Sequence, residues 1–453
     1  MDKAARLASF RVLLSSEALS AAVRAFQSSP SAQAIAANAA WLLLDRFGRL
    51  ALSLVVGVWT ARYLGPGQFG ELYYVFAYLA FFQAVVGLGF DGIVVRDLAT
   101  NASRDGEILG TACALRFMAG AACWALAVGG MAVWYGLGSR ELLLCALAGG
   151  SMIFQSADTI DLWFQSKSQS KRTIIPKFVA VLVSNSVKIA LLVSAAPLYA
   201  FALVVTIEAL VGSLGLCFSY RLLPTAHAWR IGFRMAIRLL SESYPYLASG
   251  LAVTVYMRID QIMIKAFLGY EASGLFAAAL PFSTISYAIP AILCVSLAPV
   301  VARKKHEGTA AYKELLLLIF RAFGLMSILI CLVTALAAPL LIGIVYGHRF
   351  AGAAPVLAIH VFCSFFVFQG MAQSLWMVNE RRGHWALGQT LFGAAVAIGA
   401  NVLLLPTLGV TGAAISAVLS QAASAVFSNL LISREILAMQ FGIRPVAWGI
   451  KEL

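Results

Sequence analysis

NAAWLLLDRFGRLALSLVVGVWT, residues 38–60, is the stretch that decides the fold. As a helix its 23 residues rise about 35 Å, enough to cross the hydrocarbon of a bilayer. Yet Asp45, Arg46 and Arg49 sit seven to eleven residues into it. A charged side chain at mid-bilayer costs about 2.5–3.5 kcal/mol on insertion scales. Asp45 and Arg49 are i,i+4 and can pair along one face, with Arg46 on roughly the same side. One carboxylate against two guanidiniums leaves a net positive face. Either these groups line an aqueous interior, or they snorkel to a nearby interface.

Working outward, eleven further segments match the first in length and apolarity: 71–90, 111–135, 142–165, 174–194, 197–220, 244–265, 272–300, 315–345, 353–378, 385–405 and 410–433. No segment alternates with period two as the strands of a membrane barrel do. Over all 453 residues the chain is 61% hydrophobic and only 12% charged, too few charges to cover a soluble surface. The expectation is an all-α integral membrane protein of twelve transmembrane helices. A soluble enzyme and a disordered scaffold are excluded. The net charge of +13 gathers in no single stripe, so a nucleic-acid partner is not expected.

The basic residues instead report topology. Of the 33 Lys and Arg, 23 fall in connections on one side, four on the other (Arg62, Arg140, Lys265, Arg349) and six within spans. That bias places both termini in the cytoplasm and makes anionic lipid the partner of the excess charge. The organisation expected is a cytoplasmic N-terminal segment over 1–37, six spans over 38–220, a cytoplasmic linker over 221–243, six spans over 244–433, and a cytoplasmic tail over 434–453. In the first segment Leu7, Phe10, Leu13 and Leu14 alternate with Lys3, Arg6 and Arg11. It reads either as an amphipathic surface helix or as a frayed basic tail. In the linker, Arg230, Arg234 and Arg238 recur every four residues beside Ile231, Met235 and Leu239, which predicts an amphipathic helix on the membrane surface.

The halves also read as repeats. ARYLGPGQFGEL (61–72) aligns with KAFLGYEASGLF (265–276), pairing Leu64 with Leu268, Gly65 with Gly269, Gly70 with Gly274, and Tyr63 with Phe267. Both segments follow the first span of their half. Matching entry sides imply a parallel repeat about an axis along the membrane normal.

Other ionisable groups within spans are functional candidates. Arg258 and Asp260 in VYMRIDQIMIK lie about 200° apart on a helix, so they cannot share a face. Asp158 and Asp161 are i,i+3 near a span end, and either load a proton or sodium ion or meet Lys167 or another cation. Lys188 and Glu208 suit an ion pair between neighbouring helices, structural or coupling. Arg116 and Arg321 begin spans and read as anchors. Pro281, Pro290 and Pro299 predict kinks in the eighth span. His360 reads as packed or cavity-facing, without metal partners. The seven cysteines form no CxxC pair and read as buried thiols. No phosphate-binding GxxxxGK[ST] loop occurs, so no cofactor is expected beyond possible H+ or Na+ coupling.

The runs NAAWLLLDRFGRLALSLVVGVWTARYLGPGQFG (38–70), LGFDGIVVRDLA (88–99), RIDQIMIKAFLGYEASGLFAAA (258–279) and LGVTGAAISAVLS (408–420) resemble the polysaccharide-export flippases. That family shares a superfamily with multidrug and toxic-compound exporters and lipid II flippases. The resemblance implies two six-helix lobes in a V around a central cavity. It implies transport of polyprenyl-pyrophosphate-linked oligosaccharide from the cytoplasmic to the outer leaflet of a bacterial inner membrane, for O-antigen, capsule or exopolysaccharide. The partners it implies are the bilayer and the polymerase and chain-length proteins of a glycan-assembly system. The family's intramembrane arginines would correspond to Arg46, Arg49 and Arg258, binding pyrophosphate, with Asp45 and Asp260 orienting them. Competing readings are a multidrug exporter, for which the basic first span is ill suited, a membrane-embedded glycan polymerase or ligase, for which the outward connections are short, and a passive scaffold, which has no need of deep charges.

Overall fold

The computed structural model describes the backbone of residues 30–443 apart from 168, 170, 223–227 and 384, and side chains from residue 51 onward, residue 102 excepted. The unit described below begins at Val56. Among the described residues every regular element is helical, and ten helices are long and apolar enough to cross a membrane. The chain is a multi-pass, all-α membrane protein.

The difference from twelve apolar stretches arises at two places. Ala51–Thr100 and Phe233–Glu307 run 50 and 75 residues, and each joins two expected stretches with no loop between. The first contains the C-terminal part of α1 (Pro30–Val86), which bends at Gly65, φ 72°. The second contains α9 (Phe233–Thr284), which bends at Gly269, φ 86°. Both angles lie in the left-handed region, where a Cβ is penalised. These are the two glycines that the repeat pairs. A few residues on, Gly70 and Gly274 bring the bends together. A Cβ on Gly70 would overlap the Tyr270 carbonyl, and one on Gly274 would overlap the Pro66 carbonyl. The contact is reciprocal, main chain against main chain, as a two-fold relation between repeats requires.

Between these elements run α2 (Asp91–Thr100), α3 (Asp105–Tyr135), α4 (Arg140–Gly149), α5 (Ser151–Phe154), α6 (Asp158–Ser166), α7 (Lys171–Val193) and α8 (Leu198–Arg221). After α9 come α10 (Ala288–Glu307), α11 (Thr309–Val345), α12 (Ala353–His360), α13 (Cys363–Asn379), α14 (Trp385–Leu408) and α15 (Val410–Ala422), then α16 (Asn429–Ile432) and α17 (Arg434–Gln440). A 3-10 turn at Ile285–Tyr287 interrupts the helix between Pro281 and Pro290, where the prolines remove backbone donors.

Among the described residues two buried apolar clusters stand out. One gathers Phe90, Leu98, Ile108 and Phe164 with Met235 and Leu239. The other gathers Phe320, Phe323 and Phe368 with Ile436 and Met439. The stretch read as a surface linker therefore behaves differently in its last eleven residues. They belong to α9, which runs on without a break at 243. Met235 and Leu239 are buried, because packing against α2 and α3 removes more apolar area from water than a surface position would. Ile231 and Phe233 stay exposed.

Candidate functional site

The deep charges on α9 diverge as their spacing demands. Asp260 is 6% exposed and accepts a 2.6 Å hydrogen bond from the Asn401 amide, which also donates to the Ala397 carbonyl at 2.8 Å. Ser416 donates to that carbonyl at 3.0 Å. Buried Gln261 has no partner for either side-chain atom among the described residues, and neither does Nδ1 of buried His360. His360 meets the Phe276 ring edge-on at 5.6 Å. A carboxylate, three amide or hydroxyl side chains and an imidazole thus lie buried in the second half of the chain. Their unmet hydrogen-bonding capacity is what a proton, an ion or water would satisfy.

Arg258 points elsewhere. It is exposed, has no ion-pair partner among the described residues, and lies within electrostatic range of Tyr73 on α1. Tyr73 packs on Phe69 at 4.4 Å and Phe76 at 5.7 Å. Phe69 in turn meets Phe350 at 6.1 Å, and Phe350 meets Tyr346 at 5.2 Å. Arg258 therefore carries an exposed guanidinium, without an ion-pair partner among the described residues, in electrostatic range of a tyrosine that belongs to an aromatic cluster drawn from both halves.

Toward the Gly65 and Gly269 bends the halves are joined. Arg62 donates to the Val345 carbonyl at 2.7 Å and to the Ile344 carbonyl at 2.5 Å, at the C-terminal end of α11, where carbonyls lack helical partners. The Lys265 ammonium lies 5.1, 4.4 and 5.1 Å from the ring centres of Tyr74, Tyr135 and Tyr270 and donates to the Tyr135 hydroxyl. Tyr135 and Tyr74 share a hydrogen bond of 3.0 Å, and the Tyr270 hydroxyl donates to Glu141. Among the described residues Lys265 has no carboxylate at ion-pair distance.

The other sequence candidates fall as follows. The side chains of Asp45, Arg46 and Arg49 lie outside the described residues. Asp158 and Asp161 are bridged by Lys177, at 3.3 and 2.7 Å, while Lys167 pairs with Asp105 at 3.0 Å. Lys188 lies in electrostatic range of Glu208. Arg116 is no interfacial anchor: it is buried and ties down the 87–91 turn through Asp91 at 2.6 Å and the Gly87 carbonyl at 3.2 Å. Arg321 holds the Gly442 carbonyl. Cys217 is exposed; the other cysteines are buried or half-buried, and all are free. Among the described residues no three His, Cys, Asp or Glu side chains gather as metal ligands.

Two arrangements escaped the sequence reading. One is the Lys265 cage. The other lies at the opposite end of the bundle, where buried Asp97 is held by Arg96 at 2.9 Å and by Arg238, and Glu242 binds Arg96 at 2.5 Å and Arg238 at 3.3 Å. The four-residue period of Arg234 and Arg238 was the available signal, but it could not say which carboxylate stood opposite.

The sequence pattern of a family described as polysaccharide biosynthesis protein matches residues 35–305. No curated protein matches the chain in sequence. In structure, the chain is similar to a lipid II flippase, MurJ, in an inward closed conformation (TM-score 0.67, 13% identity, 88% of this chain and 89% of that one). It is also similar to a multidrug resistance MATE family transporter of the MOP superfamily, inward-facing (TM-score 0.66, 15% identity, 87% and 96%). An outward-facing conformation of such a transporter matches with a TM-score of 0.59, at 14% identity over 88% and 94%. At these identities the likeness is one of fold.

Proposed function

Because the chain belongs to the polysaccharide biosynthesis protein family, we propose that it is a flippase, a transporter and not an enzyme, for polyprenyl-pyrophosphate-linked glycan units. In this reading the two bent helices each supply two crossings. The twelve spans then form two six-helix lobes, 38–220 and 244–433. Both termini lie in the cytoplasm, and the membrane is the bacterial inner membrane. The cargo moves from the cytoplasmic to the outer leaflet, where polymerase and chain-length partners of O-antigen, capsule or exopolysaccharide assembly receive it.

The observation that carries this reading is Arg258, a guanidinium within a span, exposed, without an ion-pair partner among the described residues, and in electrostatic range of Tyr73 of the other half of the chain. A pyrophosphate–sugar head group cannot cross hydrocarbon, because its charges and hydroxyls would lose their hydration. Guanidinium forks replace that hydration bidentately, and Arg46 and Arg49 on the first span add two more. The lipid tail stays in the bilayer while the lobes rock.

In vesicles carrying a labelled polyprenyl-pyrophosphate glycan, Arg258→Ala lowers leaflet exchange about 100-fold at unchanged protein abundance; exchange at the parent rate refutes the site. Asp260, with Asn401 beside it, is the coupling group for H+ or Na+. Asp260→Asn keeps exchange down the cargo gradient but abolishes its response to imposed proton and sodium gradients. An unchanged gradient response removes Asp260 from the mechanism. The fold likeness to a multidrug transporter favours a second reading, cationic-drug export, which efflux of cationic dyes by the purified protein would establish.

A further inference from the structure

Lys265 and Arg258 are seven residues apart on α9, so they share one face with about 10 Å of rise between them. Both act on adjacent residues of α1, Arg258 through its electrostatic reach to Tyr73 and Lys265 by sitting over the Tyr74 ring. Yet the two cations are held differently. Arg258 stands open. Lys265 is enclosed by three tyrosine faces and one hydroxyl, with no carboxylate at ion-pair distance among the described residues. Tyr74 and Tyr135 come from the first half of the chain and Lys265 and Tyr270 from the second, so the cage spans the seam beside the Gly70–Gly274 contact. The cation is held by ring quadrupoles and one neutral hydroxyl, and the negative charge around it acts from behind the cage, with Glu141 bonded to the Tyr270 hydroxyl and Glu71 in electrostatic range of that tyrosine. A phosphate oxygen is a far stronger partner.

Resting on the cargo reading above, we propose that Lys265 in its tyrosine cage is the latch that shuts this end of the bundle, and that an anionic head group arriving at Arg258 draws Lys265 out and opens it. The latch then reads the charge of the cargo. A neutral or cationic molecule in the same cavity offers Lys265 nothing better than its cage, and the end stays shut. Tyr270 and Glu141 form the second tie across the seam; it lets go once Lys265 no longer holds Tyr135 against α9.

Ser273 supplies the reporter. It is fully buried at the seam, with its hydroxyl 3.5 Å from the Gly70 carbonyl. In the full chain carrying Ser273→Cys, in nanodiscs, a bulky hydrophilic maleimide labels residue 273 slowly, as read on its own peptide by mass spectrometry. A short-chain prenyl pyrophosphate, whose binding is measured in parallel by calorimetry, speeds that labelling about tenfold. Adding Lys265→Gln makes it fast with or without the probe. Lys265→Arg keeps it slow and probe-dependent, and Tyr135→Phe gives an intermediate rate if the glutamine variant folds poorly. Slow labelling of a folded Lys265→Gln protein overturns the latch. Probe that binds but leaves labelling unchanged overturns the trigger alone. Absence of binding overturns the cargo reading, and the trigger with it.

Discussion

The two ends of the bundle are stitched by different chemistry. At the glycine bends the ties run across the seam: Arg62 to the carbonyls of α11, Lys265 onto Tyr74 and Tyr135 of the other half, Tyr270 to Glu141, and Gly70 against Gly274. At the opposite end the ion pairs fall into two separate sets. One lies within residues 91–242, around Asp97. The other lies within 305–435, where Lys305 meets Glu380 at 3.0 Å and Lys313 meets Glu435 at 2.7 Å. The first end holds the halves to each other through weak, reversible contacts. The second end uses ionic ones, with the Asp97 set tying α2 to the start of α9 and the other set lying within the second half.

Gly274→Val strikes the first end hardest. Its side chain has only the Pro66 carbonyl and the Gly70 main chain to displace, and backbone cannot change rotamer. The substitution should cost about 3 kcal/mol, read as a lowered midpoint of thermal unfolding in detergent. It should also raise labelling of a cysteine at 273. A variant as stable and as slowly labelled as the parent would dissolve the contrast between the ends. Asp97→Asn tests the second end. The carboxylate is buried but its arginines are 57% and 40% exposed at the side chain, so solvent screens much of the attraction and the loss should be about 1–2 kcal/mol. Labelling at 273 should not change, since the network lies at the other end of the bundle from the glycine contact; faster labelling would mean the ends are coupled. Arg62→Ala should have the smallest effect, about 0.5–1 kcal/mol. It should be visible as a few-fold faster labelling with little change in unfolding midpoint.

Much of this was readable from the chain. Runs of apolar residues identify the crossings, because hydrocarbon thickness imposes their length. The Gly65–Gly269 and Gly70–Gly274 pairing needs no coordinates either, since a left-handed bend and a main-chain crossing both demand glycine. What stayed hidden was partnership. Lys265 looked like one of four cations in the minority connections, because nothing local says that Tyr74 and Tyr135, from two distant segments, close around it together with Tyr270, five residues on. Arg116 looked like an anchor for the same reason: its distance from a span end was visible and its 25-residue reach back to Asp91 was not. The two absent loops were missed because a bent helix and two helices with a tight turn have the same hydropathy profile. For the candidate site, the divergence of Arg258 and Asp260 follows from a two-residue spacing, whereas the Asn401 amide beside Asp260 comes from a helix 141 residues away.

The Gly70–Gly274 crossing has a mechanical corollary. Packed side chains must trade rotamers when one helix slides over another, but bare main chain has none to trade, so this point serves as a fulcrum. Charges near it travel little and can be held by short-range ties. Points at the far side of the membrane, about 30 Å off, sweep about 5 Å for a tilt of roughly 10°. In the proposed transport cycle a small rolling motion at two glycines would thereby be geared up into an aperture wide enough to admit a sugar ring.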